Sequence, residues 1–177
     1  MIRFSANLSM LFLEAPELER PAAARRAGFD AVEVQFPYGH EAGQWRDALQ
    51  AAGVDLALCN VPAGDLMTGG QGLAGVPGRE AAFREAVAQA AKVAQVLRPR
   101  NINVLAGCPG PEHERERCLD TLAGNLAHAA QVLGDLGMGV VTEAVNTVDR
   151  PRYLIDTTRS ALDVIDRAGH PNLRIQY

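Results

Sequence analysis

Polar residues that can carry chemistry stand at the ends of short apolar runs along this chain. Each run has the length of a β-strand, and the residue at or just past its C-terminal end is polar. In chain order these residues are Asn7, Glu33, Asn60, Asn103 and Glu143. Carboxylates can act as acids, as bases or as ligands of a hard cation, and amides can hydrogen-bond a ligand. The equivalent placement of the five residues predicts one shared site.

Glu143 is the strongest candidate among them. It ends an apolar strand, residues 140–142, on the side that should point inward. An unpaired carboxylate is costly there unless a metal ion or another cation meets it. Metal binding or acid-base duty is the favoured interpretation, and a structural salt bridge to a buried arginine is the alternative. For Glu33, a supporting hydrogen-bonding role is an equal alternative to direct contact with a ligand.

A repeated unit positions these residues along the chain. In this unit an alanine-rich helical segment stops at a glycine, and a short apolar run follows. The glycines are Gly28, Gly53, Gly137 and Gly169. The pattern predicts strands at 3–7, 30–34, 54–58, 101–105, 139–143 and 172–176, and helices at 16–27, 41–52, 79–97, 111–136 and 157–168. Strict alternation of strand and helix predicts a parallel sheet with right-handed crossovers.

Such an alternation forms either a barrel or a doubly wound sheet. A barrel gathers polar residues at the C-terminal ends of all its strands, whereas a doubly wound sheet concentrates them at one switch point. The five strand-end residues therefore favour the barrel. We predict an α/β fold, an incomplete (β/α)₈ TIM barrel with about six parallel strands and five helices, as a single domain over residues 1–177. Because eight units usually need about 250 residues, we expect the last two β/α units to be lacking.

Composition and charge limit the classes of partner. A net charge of −4 without any dense block of Lys and Arg argues against nucleic acid and anionic membranes as partners. No apolar run approaches the length of a membrane span. The three cysteines, Cys59, Cys108 and Cys118, match neither a disulfide framework nor a cysteine zinc site. Reduced thiols and a cytoplasmic location are therefore expected.

One glycine-rich segment, residues 70–75, matches the G-x-G-x-x-G pattern of dinucleotide-binding turns. That turn needs a strand immediately before it and a helix that opens within it. The nearest predicted strand, 54–58, ends well before the segment. A loop over the mouth of the barrel is therefore the favoured interpretation.

Short motifs spread over nearly the whole chain resemble those of one enzyme family. The motifs are residues 5–10 (Ser-Ala-Asn-Leu-Ser-Met), 27–33 with 36–38, 62–65, 77–80, 104–107 and 143–146 (Glu-Ala-Val-Asn). They resemble the hydroxypyruvate isomerases and their close relatives, the 2-oxo-tetronate isomerases. The resemblance is specific for the family, but it does not distinguish substrates, because these relatives share most of the motifs.

The resemblance implies a xylose isomerase-like barrel that interconverts an aldehyde and a ketone on a short hydroxy or oxo acid. Hydroxypyruvate and 2-hydroxy-3-oxopropanoate are the expected pair, with an enediolate between them. In such enzymes a divalent ion polarises the oxygens, and glutamates move the proton. Glu143 matches the family's glutamate that serves as metal ligand and acid-base group, and Mg²⁺ or Mn²⁺ suits such a site. The expected substrate-binding residues are Asn7, Glu33, Asn60, Arg79 and Asn103.

The sequence departs from the family pattern in two ways. The family's metal-binding aspartate at the end of the sixth strand would come directly after Tyr177, and further ligands and a second catalytic glutamate belong to strands seven and eight. Asn103 stands where several relatives carry a histidine. We therefore expect weak metal binding and impaired activity for these residues, as for a C-terminally truncated enzyme.

Other functions stay open beside this isomerase. The chain could be a 2-oxo-tetronate isomerase or a sugar epimerase of the same superfamily. A non-enzymatic fragment would form homo-oligomers through the open edges of its first and sixth strands. A nuclease of the related endonuclease barrel type is a further class, and the acidic charge counts against it.

Overall fold

Strands and helices alternate as the glycine-terminated units predict. The structure, a computed structural model, describes residues 2–177. The six strands are β1 (Ser5–Asn7), β2 (Ala31–Glu33), β3 (Asp55–Asn60), β4 (Asn101–Asn103), β5 (Gly139–Glu143) and β6 (Leu173–Gln176). The five helices are α1 (Arg20–Arg26), α2 (Ala42–Ala52), α3 (Glu80–Leu97), α4 (Arg115–Gly134) and α5 (Thr158–Ala168). Short 3₁₀ turns lie at Glu17–Glu19, Pro37–Gly39 and Leu66–Thr68.

All six strands form one parallel sheet whose order in space is their order in the chain, from β1 to β6. A doubly wound sheet would reverse this order at its switch point, so the order is that of a barrel. The predicted fold class, with six parallel strands and five helices, is confirmed. Within residues 2–177, β1 pairs only with β2 and β6 pairs only with β5, which makes them the edge strands.

The core lies between the outer face of the sheet and the helices. Val32, Ile102 and Val140 have no exposed surface, and they point towards the helices from β2, β4 and β5. Because side chains alternate along a strand, their neighbours at Glu33, Asn103 and Val141 point to the opposite face. The alanine-rich helices α3 and α4 pack closely against each other and against this sheet. The strand-end polar residues are thus directed away from the helices.

The first and fourth helices begin later than predicted. Helix α1 starts at Arg20 after a 3₁₀ turn, with a proline in its first turn, where the missing N–H of Pro21 costs no hydrogen bond. Helix α4 starts at Arg115 because Glu114 is extended, and residues 111–114 form a turn before it. The predictions of 16–27 and 111–136 were too long at their N-terminal ends. Strand β1 is also shorter than predicted, since residues 3–4 lie outside it.

Two further features concern the cysteines and the helices. Cys59, Cys108 and Cys118 are buried free thiols, and no disulfide joins them. Among the helices in residues 2–177, none has both the length and the apolar character needed to cross a bilayer.

Candidate functional site

The five strand-end residues lie at one end of the sheet. Asn7, Glu33, Asn60, Asn103 and Glu143 are the last residues of β1 to β5, in that order. The carboxyl ends of parallel strands meet at the same edge of a sheet, and the structure therefore brings these side chains towards one another. The sixth strand ends in the same way with Gln176.

Four of these residues form a hydrogen-bonded series across neighbouring strands. Asn103 Nδ2 donates to Asn60 Oδ1 at 3.2 Å and to Glu143 Oε1 at 2.8 Å. Gln176 Nε2 donates to the other carboxylate oxygen, Glu143 Oε2, at 3.3 Å. The carboxylate of Glu143 is thus held from both sides by neutral amides. We call Asn60, Asn103, Glu143 and Gln176 the strand-end series.

Asn7 and Glu33 form a separate hydrogen-bonded pair at the β1 side of the site. Asn7 Nδ2 donates to Glu33 Oε1 at 2.9 Å, and Asn7 Oδ1 accepts from the backbone N–H of Ser9 at 3.0 Å. The amide of Asn7 therefore fixes the Glu33 carboxylate and at the same time holds the loop that follows β1. The substrate-binding roles of Asn7 and Glu33 stay predictions.

Burial sets the electrostatics of the two glutamates. Desolvation raises the pKa of Glu143, and the hydrogen bond from Asn103 opposes that rise. Desolvation also raises the pKa of Glu33, and the nearby charge of Glu143 raises it further. The ionised form of each carboxyl group is therefore disfavoured, and protonation or a nearby cation would stabilise it. A carboxyl group whose pKa is shifted towards neutrality suits proton transfer.

The alternative of a buried salt bridge is not what the structure shows for Glu143. Its hydrogen-bond partners are the amides of Asn103 and Gln176. The ion pairs found within residues 2–177 engage other carboxylates. A carboxylate that is half-buried without a compensating cation is left available for a ligand, a proton or a metal ion.

The donor set for a metal ion is small in this part of the chain. In the described residues no three His, Cys, Asp or Glu side chains are grouped so that they could hold an ion. A hard cation such as Mg²⁺ takes about six oxygen ligands. The Glu143 carboxylate fits part of such a shell, and water or a ligand would have to supply the rest.

The hydrogen bonds of Arg79 go to residues other than the strand-end residues. It stands just before α3, and its guanidinium donates to Asp65 Oδ1 at 3.0 Å and to the backbone oxygen of Gly72 at 3.0 Å. Asp65 Oδ1 also accepts from the N–H of Gly72 at 2.9 Å. Arg79 and Asp65 together hold the glycine-rich loop, and the structure does not join Arg79 to the other predicted site residues. Its role as a substrate contact stays a prediction.

The glycine-rich segment, residues 70–75, is a loop on the mouth side of the sheet. The N–H of Gly75 donates to the backbone oxygen of Ala106, in the segment after β4, at 2.9 Å. Gly107 has φ of +91°, and a Cβ at that residue would lie 2.6 Å from the backbone oxygen of Gln71. The preceding strand ends at Asn60 and the next helix begins at Glu80, so the segment is not a dinucleotide-binding turn. The two loops touch closely only because these positions lack side chains.

Gln176 is the one strand-end residue that the sequence analysis left out. The strand-end pattern that selected the other five residues also applies to it, because the predicted sixth strand ended at 176. The contact with Glu143 depends on the pairing of Glu143 with Gln176 in the β5–β6 register, which no local pattern encodes.

Known proteins resemble the whole described fold. A model of the xylose isomerase-like TIM barrel family matches residues 21–177. A 2-oxo-tetronate isomerase of Cupriavidus necator is 41% identical over 100% of this chain and 68% of its own length. A hydroxypyruvate isomerase of Escherichia coli is 40% identical over 100% of this chain and 69% of its own length. The chain thus spans about two thirds of the length of these relatives.

A solved structure shows the same arrangement of strands and helices. It is described as an AP endonuclease of family 2 from Brucella melitensis, and it superposes with a TM-score of 0.95. The two sequences are 36% identical, and the match covers 99% of this chain and 68% of that one.

Proposed function

This chain belongs to the xylose isomerase-like TIM barrel family, and from that membership we propose that it acts on a short hydroxy or oxo acid as an aldose-ketose type isomerase. The proposed reaction converts hydroxypyruvate to 2-hydroxy-3-oxopropanoate. Isomerases of hydroxypyruvate and of 2-oxo-tetronate are among the similar proteins, and both names describe small oxo acids. The isomerisation needs no external oxidant or reductant, because the two compounds have the same atoms.

The observation that carries this proposal is the position of the Glu143 carboxylate. It lies at the end of β5, half-buried, with one amide donor on each of its oxygens. In the proposed reaction this carboxylate takes a proton from C3 of hydroxypyruvate, which leaves an enediolate, and a proton is returned to C2. The hydrogen of the C3 hydroxyl leaves while the C2 oxygen gains one, so the atoms balance. The raised pKa of Glu143 favours the proton-bearing state that the middle of this reaction requires.

The remaining strand-end residues would bind the substrate around this carboxylate. Asn60 and Asn103 are almost fully buried, at 4% and 1% exposure, and their amides lie next to Glu143 in the series. Asn7 and Glu33 form the opposite side of the site. Arg79 would reach a substrate carboxylate only if it left Asp65, which currently accepts from its guanidinium.

A divalent ion, Mg²⁺ or Mn²⁺, is part of this proposal. Glu143 would be its ligand, and the ion would polarise the carbonyl oxygen of the substrate. We expect residues 1–177 to bind it weakly, because the described part of the chain offers two glutamates where a tight site needs more oxygen ligands. We expect isomerase activity to be impaired for the same reason.

The direct test follows the conversion of hydroxypyruvate and of 2-oxo-tetronate by proton NMR with the purified chain and excess Mg²⁺. We expect slow conversion, with hydroxypyruvate converted faster than 2-oxo-tetronate. Glu143→Gln should lower the conversion rate at least about a hundredfold, as is usual for an acid-base group. Equal rates for the wild type and this variant would refute the proposal. Turnover at ordinary enzyme rates would refute the expected impairment. Faster conversion of 2-oxo-tetronate would show that it, and not hydroxypyruvate, is the preferred substrate.

A second candidate function is self-association through the sheet edges. Within residues 2–177, β1 and β6 each leave one side without a strand partner, and unpaired edges are templates for strand addition. Size-exclusion chromatography over a range of protein concentrations tests this proposal. A concentration-dependent shift to dimers or larger species would support it, and a monomer at all concentrations would refute it.

A nuclease activity is disfavoured by charge. The name of the Brucella melitensis neighbour refers to an AP endonuclease, but a net charge of −4 opposes contact with phosphates. We expect no binding to duplex DNA with an abasic site at low salt. Binding that weakens steeply as the salt concentration rises would favour the nuclease over the isomerase.

A further inference from the structure

A wide cavity lies at the end of the sheet opposite to the strand-end residues. Its walls include Ser5, Ala31, Asp55 and Asn101, which are the first residues of β1 to β4, together with side chains of α2 and α3. Its volume is about 830 Å³, and small-molecule sites in proteins measure roughly 300–1,000 Å³. Because barrel enzymes carry their active sites at the carboxyl ends of the strands, this cavity is not part of the proposed isomerase site.

Arginines dominate the charge of this cavity. Among the described residues that line it, one is acidic, Asp55, and four are basic: Arg3, Arg46, Arg98 and Arg100. Arg46 is paired with Asp47 at 2.8 Å and is therefore set aside. The whole chain has the opposite balance, with 21 acidic residues against 17 basic ones. Because a concave site lined by one sign of charge concentrates the electrostatic potential, the cavity should attract anions although the protein as a whole is acidic.

The other three guanidinium groups keep hydrogen-bond donors available for a ligand. None of the ion pairs or side-chain hydrogen bonds found within residues 2–177 engages the side chain of Arg100. Arg98 donates through Nη1 to the backbone oxygen of Leu136 at 3.3 Å, which leaves its other N–H groups available. Arg3 lies 3.6 Å from Asp55, and both side chains are more than half exposed. An exposed pair of this kind is weak, so an anionic ligand can compete for Arg3.

Neutralisation of helix ends accounts for only part of this positive charge. Helices α2 and α3 both end at the cavity, and each C-terminal end carries about half a negative charge. Arg98 is the residue that caps the end of α3, so it can offset that helix end. Neither Arg3 nor Arg100 caps a helix. Arg100 stands beside β3, because its backbone N–H donates to the oxygen of Leu56 at 3.1 Å. The cavity therefore keeps positive charge that no helix end requires.

We propose that this cavity binds a small molecule that carries a diphosphate group, through Arg3, Arg98 and Arg100. Guanidinium groups bind phosphate oxygens with paired N–H donors, and a diphosphate has enough charge and oxygens to engage several of them at once. The apolar side chains of Leu49 and Val54 also line the cavity, and they offer a surface for an organic part of the ligand. The proposal is independent of the isomerase reaction, because it uses none of the strand-end residues.

Calorimetric titration of the purified chain with pyrophosphate, without added metal, tests this proposal. We expect one saturable site with a dissociation constant of about 10⁻³ M or tighter, and weaker binding as the salt concentration rises. Inorganic phosphate should bind at least about tenfold more weakly, because it engages fewer arginines. Titration with ADP distinguishes two sources of the diphosphate. Tighter binding of ADP than of pyrophosphate would identify the diphosphate of a larger molecule, equal binding would identify the free ion, and both results support the site.

Matched variants show whether the cavity is responsible. Arg100→Gln removes the arginine that has no partner and should weaken pyrophosphate binding at least about fivefold. Arg84→Gln makes the same change at an exposed position of α3 outside the cavity and should leave the binding unchanged. Asp55→Asn removes the acidic residue of the lining and should strengthen the binding, since Arg3 is then freed. Thermal unfolding checks that the variants are folded. If Arg100→Gln does not fold, Asp55→Asn decides the question.

Four outcomes would overturn the proposal. Pyrophosphate that shows no saturable binding, or that binds no more tightly than inorganic phosphate, would mean that the arginines do not act together. Equal losses in Arg100→Gln and Arg84→Gln would reduce the effect to the net charge of the protein. Weaker binding in Asp55→Asn would contradict the competition between this carboxylate and the ligand. Tighter binding of citrate, a tricarboxylate, than of pyrophosphate would refute the choice of a diphosphate.

Discussion

Glu33 and Glu143 bring two carboxyl groups into a half-buried layer where neither has a cationic partner among residues 2–177. Such an arrangement costs stability when the groups are ionised, and proteins keep it mainly at functional sites. The amides around these groups hold them in place without neutralising them. Protonation of these carboxyl groups, or binding of a cation beside them, would therefore lower the free energy of the site.

The raised pKa of Glu33 predicts a pH-dependent effect of Glu33→Gln. Burial, and then the charge of Glu143, favour the protonated form in the folded chain. The stabilising contribution is complete below the pKa of the unfolded chain, and it is lost as the pH rises through the higher folded value. A glutamine resembles the protonated form and can still accept from Asn7. The variant should match the wild type in acid and be more stable than it at neutral pH.

Thermal unfolding measured from about pH 4 to about pH 8 checks this prediction. Glu85→Gln on the exposed face of α3 is the matched control, and it should not reproduce the pH-dependent gain. A constant difference between Glu33→Gln and the wild type at every pH would show that burial does not govern this carboxyl group.

The sequence could predict which polar residues stand at the strand ends but not their contacts. Asn7, Glu33, Asn60, Asn103 and Glu143 follow from one rule, because parallel strands present their carboxyl ends at the same edge. The partner of each side chain depends on strand register and on exact side-chain torsions. The contact of Arg79 with Asp65 shows this limit, since the two lie 14 positions apart in a loop without a periodic pattern.

At the scale of elements, glycines explain why the helix ends were predictable. Gly28, Gly53, Gly137 and Gly169 all have positive φ, which is the conformation that ends a helix without a Cβ clash. Helix starts were harder to place. The late start of α4 depends on the extended conformation of Glu114, which the acidic run in the sequence does not reveal.

The contact between the two mouth loops predicts a strong effect of Gly107→Ala. This glycine has φ of +91°, and an added Cβ would meet the backbone oxygen of Gln71 at 2.6 Å. We expect a loss of about 1–3 kcal/mol in the free energy of unfolding. Gly124→Ala is the control, because this helical glycine has nothing within 4 Å of an added Cβ and should gain up to about 1 kcal/mol.

Urea unfolding followed by circular dichroism measures both changes. Gly107→Ala should lower the midpoint and Gly124→Ala should raise it. A Gly107→Ala variant as stable as the wild type would mean that the two loops are not held in the contact described.

At the scale of the whole molecule, the sequential strand order explains how the candidate site is assembled. Six adjacent strands bring six polar ends to one rim, which no shorter segment of the chain could do. This order was predictable from the strict alternation of strands and helices, because crossovers of one hand place each new strand beside the last. The register between β5 and β6, which brings Gln176 to Glu143, was not predictable in the same way.

The small number of carboxylates at this rim predicts weak binding of divalent ions. Two glutamates, with water for the remaining positions, should give a dissociation constant no tighter than about 10⁻⁴ M. Titration with Mn²⁺ followed by electron paramagnetic resonance measures it, and Glu143→Gln should weaken it further. Micromolar binding, or binding that Glu143→Gln does not change, would contradict this assignment.

The claim that Glu143 moves the proton is tested most directly by hydrogen exchange at carbon. Hydroxypyruvate is incubated in D₂O with the wild-type chain or with Glu143→Gln, both with excess Mg²⁺, and the C3 protons are followed by NMR. The wild type should exchange them faster than buffer alone even where net conversion is slow, and Glu143→Gln should fall at least about a hundredfold towards the buffer rate. Exchange at the same rate in both proteins, or no exchange above buffer in the wild type, would contradict the account.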